Sequence, residues 1–155
     1  MRTKRASAEG SAKLVLETFL PFKIAILSNR IAAQFAEKYG RQHDLSIAEW
    51  RVLATVGPAQ GITASRIVEL THLEKSQVSR VVSRLLARNL LMRQINDTDR
   101  RWQHLYLTPA GLKVYAALVP VELEIERKLL SHLTPEELGA FEAILDRLHT
   151  VAEDL

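Results

Sequence analysis

The sequence predicts a mainly α-helical chain with one small β-hairpin, and three observations predict it. Apolar residues recur every three or four positions from about Leu14 to Val151, the period of a helix with one buried face. Strict alternation, the period of a half-buried strand, is confined to the neighbourhood of residues 91–107. Two helix starts are spelled out as Ser46-x-x-Glu49 and Thr134-x-x-Glu137, the pattern in which a hydroxyl and a carboxylate cap each other's backbone N–H groups. With 47% of its residues apolar and only six glycines and five prolines in 155, the chain has material for a core and little for disorder. That length suits one compact unit, or a small unit with a helical extension.

The elements follow in order. Residues 1–13 read as a flexible arm carrying Arg2, Lys4 and Arg5. A short helical piece near Leu14–Leu20 is expected to stop at Pro21, with a longer helix from Phe22 to about Tyr39. Ile24, Leu27, Ile31, Phe35 and Tyr39 form its stripe, and Gly40 suits a C-cap. Ser46 then opens a helix to Val56 that turns Ile47, Trp50, Leu53 and Ala54 inward before Gly57-Pro58 ends it. Thr63 caps a short helix to Leu70, with Ile67 and Leu70 buried, and Thr71-His72-Leu73 makes a tight turn. Thr108-Pro109 starts a long helix with a kink expected at Pro120. The final helix reaches about Val151 and buries Phe141, Ile144, Leu145 and Leu148.

The stretch Leu73–Leu90 decides the reading. As a helix at about 100° per residue, it places Val78, Val81, Val82, Leu85 and Leu86 on one side. Ser76, Gln77, Ser79, Arg80, Ser83, Arg84 and Arg88 take the other, with no acid among them. Solvated helix faces usually mix both signs, whereas Arg, Gln and Ser are the side chains that read guanine, adenine and phosphate. Two short helices joined by a tight turn, the second basic on one face, make a helix-turn-helix. Strands expected at Leu91–Ile95 and Trp102–Leu107 then enclose a polar turn, Asn96 to Arg101, and so form a wing. An arginine at its tip suits the minor groove; Asp97 and Asp99 could also pair with Arg100 and Arg101, and Asp99 could position one guanidinium while the other reaches DNA.

Charge and composition agree. Residues 1–107 hold 17 Lys/Arg against 9 Asp/Glu, while residues 108–155 hold 4 against 9, so one region is suited to a polyanion. Zero cysteines exclude disulfides and thiolate metal sites. No apolar run has membrane-spanning length and the N-terminus lacks a signal core, which points to the cytoplasm. His43, His72, His104, His132 and His149 show no ligand spacing, so no metal is expected, and no cofactor loop or nucleophile motif marks an enzyme. The rival reading, a winged-helix protein-interaction module without DNA binding, leaves the all-basic face of the second helix unexplained.

This order of elements resembles the MarR family of bacterial winged helix-turn-helix transcription regulators over roughly residues 14–151. The resemblance is carried by LSIAEWRVLATVG (45–57), ITASRIVEL (62–70), KSQVSRVVSRLLARNLL (75–91) and, above all, DTDRRWQHLYLTPAG (97–111). Asn89 stands where the family commonly has glycine, and Asn is the next-best left-handed residue. The resemblance implies an obligate homodimer, with residues 14–39 and 109–151 intertwined and residues 45–108 forming the DNA-binding unit. It implies double-stranded DNA with a pseudo-palindromic operator as partner, and a repressor released by a small aromatic or phenolic effector. The expected DNA contacts are Ser76, Gln77, Ser79, Arg80 and Arg84 on the recognition helix, Thr63 and Ser65 before it, and Asp99, Arg100 and Arg101 on the wing. Arg88 is either a phosphate contact or a plain surface charge. Trp50, with Phe22, Ile26 and Arg30, is the expected effector pocket.

Overall fold

The computed structural model describes residues 13–59, 61–95 and 103–154, which form six helices and one two-stranded antiparallel sheet. α1 spans Leu20–His43, longer at both ends than the sequence reading. Pro21 does not interrupt it but sits in its first turn, where the missing N–H would have no partner anyway. Residues 15–19 make a turn rather than a helical piece, with the Thr18 and Phe19 N–H groups donating to the Val15 carbonyl. The helix runs past Gly40, and Asp44 (φ 49°) takes the left-handed terminal position instead. The side chain of Tyr39 and the arm 1–12 lie outside the described residues.

α2 (Ile47–Val56) starts at the capping box foreseen: the Ser46 N–H donates to Glu49 Oε2 at 2.8 Å, and the Glu49 N–H to Ser46 Oγ at 3.2 Å. Trp50 and Leu53 are buried as expected, and Val52 is buried too because α3, α4 and α5 surround α2 on several sides. α3 (Ala64–Thr71) is capped by Thr63, whose hydroxyl accepts from the Arg66 N–H. Ile67 is fully buried, whereas Leu70 is 49% exposed, a departure from expectation: it faces a crevice rather than the core. After α4 (Lys75–Ala87), β1 (Leu91–Ile95) pairs with β2 (Gln103–Leu107) in the register Leu91↔Leu107 to Ile95↔Gln103. Ile62 bonds to Leu105 through both backbone groups and ties the start of the helix-turn-helix to the sheet. Trp102, expected to begin the second strand, lies outside the described residues.

α5 (Pro109–Leu130) is capped by Thr108 and continues through Pro120, and α6 (Pro135–Glu153) by the reciprocal Thr134–Glu137 pair. Leu53, Ile67, Val78, Leu85 and Leu105 centre the core, joined by Leu118 of α5. Burying each such side chain contributes about 1.5–3 kcal/mol, so the helix-turn-helix and sheet are where this chain is most strongly held. The terminal helices differ. Phe141, Ile144, Leu145 and Leu148, expected inside, are 41–51% exposed, as are Ile24 and Leu27 at 44% and 46%. Among the described residues, nothing covers the apolar stripe of α6. No helix among the described residues is long and apolar enough to cross a membrane.

Candidate nucleic-acid interface and the adjoining crevice

α4 forms where its sequence demands. Val78, Val81, Val82 and Leu85 are buried against α2, α3 and the sheet. Its end is closed by two backbone bonds, Leu90 N–H to the Leu85 carbonyl (2.9 Å) and Asn89 N–H to the Leu86 carbonyl (3.0 Å), with Asn89 at φ 54°. This is the left-handed closure at which asparagine replaces the usual glycine. Thr108 then pins the next junction, donating its hydroxyl to the Asn89 carbonyl at 2.6 Å while its N–H reaches the Leu90 carbonyl at 3.1 Å.

The opposite face of α4 is open. Ser76, Ser79, Arg80, Ser83 and Arg84 are exposed on it, and Gln77 is half-buried. Arg80 lies back along the helix, its Nε donating to the Ser76 carbonyl at 3.3 Å. On α3, Ser65 is exposed, while Thr63 already serves as the cap. Arg88 departs from the expectation of a phosphate contact or free surface charge, because its guanidinium is engaged by the carbonyls that end α1. Among the described residues Arg93, exposed on β1, adds a cation that the sequence reading did not single out. The wing-tip candidates Asp99, Arg100 and Arg101, with Asp97, lie outside the described residues.

Between this unit and the terminal helices lies a crevice of about 740 Å³. Its walls are Leu20, Ile24, Leu27 and Ile31 of α1, Trp50 and Arg51 of α2, Leu70 of α3, Glu122 of α5, and Leu145 and Leu148 of α6. Trp50 is nearly closed off from solvent; its indole N–H donates to Glu122 Oε1 and its ring lies 6.0 Å from that of Tyr115. Phe22, Ile26 and Arg30 are not here. They line a separate groove of about 250 Å³ with Glu17 and Lys23. At about 100° per residue, positions 22, 26 and 30 centre about 130° round α1 from positions 20, 24, 27 and 31, and Leu27, between the two sets, lines both cavities.

The folded chain brings His72, in the turn before α4, within 5.1 Å of His149 on α6, edge to face. No group of three or more potential ligands forms among the described residues. On the exposed side of α5, the Arg127 guanidinium, helped by Lys128, holds the Glu124 carboxyl down at about 2.

A model described as the MarR family matches residues 43–101. The chain is 30% identical to a MarR-family transcriptional regulator from Silicibacter pomeroyi of known structure, with 86% of this chain and 90% of that one covered and a TM-score of 0.72. Two structures of lower identity share the fold. One is MepR from S. aureus, solved with DNA (22% identical, TM-score 0.81, 86% and 98% covered). The other is BpsR from Bordetella bronchiseptica, whose DNA binding is regulated by 6-hydroxynicotinic acid (23%, 0.78, 89% and 98%). The chain therefore belongs to the MarR family of winged helix-turn-helix, DNA-binding transcription regulators, and is not an enzyme.

Proposed function

We propose that the protein is a homodimeric repressor whose grip on its operator is loosened by a small aromatic acid or phenol. The observation that carries the DNA-reading part is the outward face of α4, which exposes three serines and two arginines and no acid directly opposite four buried aliphatic residues. In this reading residues 45–108 meet the DNA. Gln77 and Arg80 read base edges, Ser76 and Ser79 reach bases or phosphates, and Arg84, Thr63 and Ser65 contact phosphates. Arg100 and Arg101 enter the minor groove, with Asp99 orienting one of them.

Residues 14–39 and 109–151 form the dimer, supported by the exposed apolar faces of α1 and α6. Two copies of α4 then sit in successive major grooves of a pseudo-palindromic operator. The ligand-responsive part is supported by the crevice, which is apolar and shared by the terminal helices and α2 and α3. A molecule wedged there favours one spacing of the two reading heads, and its differential affinity for that spacing sets how far DNA affinity falls.

The experiment is binding to the protein's own upstream DNA across a salt series, with Arg80→Ala and Arg100→Ala beside the wild type. Expected are specific binding, a steep negative salt slope and weakening by both changes. Adding 6-hydroxynicotinate and benzoate as probes is expected to release the DNA and to quench Trp50, in a Trp102→Phe background. Specific binding that ignores both arginines would remove these contact assignments.

A further inference from the structure

Arg88 directly follows α4, and its guanidinium reaches across to the end of α1. Nη1 donates to the Asp44 carbonyl oxygen at 2.7 Å and Nη2 to that of His43 at 2.8 Å. Nη1 also lies 3.8 Å from the Glu49 carboxylate, which is buried in the capping box of α2. The last carbonyls of a helix have no partner within it and carry the negative end of its dipole, so a cation belongs there. Arginine meets both oxygens at once because its N–H groups are set in a rigid planar fork. Three elements, the ends of α1 and α4 and the start of α2, thus converge on one side chain.

We propose that Arg88 is a positioning residue that fixes the half-site spacing the dimer accepts, by holding α4 at one angle to α1. This rests on the dimeric DNA-binding reading above. The reading residues lie near the far end of α4, so the helix acts as a lever. From Arg88 to Gln77 is about 16 Å at 1.5 Å per residue, and a swing of about 10° at the fork moves that end by roughly 3 Å. That is close to one base-pair step, about 3.4 Å. Arg88 takes no part in base contact, so base preference and spacing preference separate.

The test is selection of sites from a randomised duplex library by the full-length wild type, Arg88→Gln and Arg88→Lys, with melting temperature and oligomeric state measured for each. The wild type is expected to select inverted repeats of one spacing. Inserting one base pair between the halves should weaken it roughly tenfold, the scale of a lost base contact. Arg88→Gln is expected to select the same half-site bases over several neighbouring spacings. Arg88→Lys, which keeps the charge but not the fork, should fall between. The backbone closure at Asn89 and Leu90 does not use the Arg88 side chain, so both variants should fold. Should Arg88→Gln unfold, Arg88→Lys decides by the same criterion. A single unchanged spacing in the folded variant would overturn the proposal. Selection of lone half-sites by the wild type would overturn the dimeric reading and the proposal with it.

Discussion

At Asn89, one residue carries a backbone shape that few others hold. Its φ of 54° is tolerable for asparagine and free for glycine, so Asn89→Gly should leave the melting temperature unchanged or slightly higher. Asn89→Val, judged by chemical denaturation, should lose about 1–2 kcal/mol. Gly111 is constrained for another reason: a Cβ there would fall on the Leu90 carbonyl oxygen, a backbone atom that cannot turn aside. Gly111→Ala is therefore expected to cost about 1–3 kcal/mol or more in a denaturant titration, although Gly111 lies inside a helix where alanine normally stabilises. Asn89 was legible through the family resemblance, since it stands where the family commonly has glycine and asparagine is the next-best left-handed residue. The Arg88 fork was not, because its acceptors are backbone oxygens 44 and 45 residues away and carry no side-chain signal.

Among the elements, α4 and its packing partners follow local rules closely. β1, β2 over Gln103–Leu107, the two capping boxes and the Thr63 and Thr108 caps stand where residue spacing put them, because each is settled by neighbours within a few positions. Expectations fail where the decisive neighbour is remote. Leu70 has the right period for burial but the side of α3 it lies on meets the crevice, and Phe22, Ile26 and Arg30 line a groove separate from the one at Trp50. Ile67→Ala, at the centre of the core, should cost about 2–5 kcal/mol in urea unfolding and abolish DNA binding through loss of fold. The exposed Glu124 cluster should matter far less. Its carboxyl is depressed to about 2, so its contribution is present above the ordinary carboxylate range and vanishes as pH falls through that value. Melting curves of wild type and Glu124→Gln should differ slightly at neutral pH and low salt, then converge on acidification; a gap that widened instead would contradict the pairing with Arg127.

For the molecule as a whole, the exposed apolar stripe of α6 sets the strongest expectation. Leu145→Asp or Leu148→Asp should shift sedimentation from dimer to monomer and lower DNA affinity, with the fold of the core unit kept. The wild type's melting temperature should rise with protein concentration, and a concentration-independent value would speak against association through these helices. The reading face and the apolar stripes belong to different elements, α4 for one and α1 and α6 for the other. That separation has a genetic consequence. In the proposed dimer, a subunit disarmed by Arg80→Ala still presents intact terminal helices, so it should capture normal subunits into mixed pairs with one working head. With equal expression, about half of all dimers are then mixed and a quarter fully normal by random pairing. Such an allele should be dominant over the wild type in a promoter-reporter strain, whereas Ile67→Ala, whose product does not fold, should be recessive.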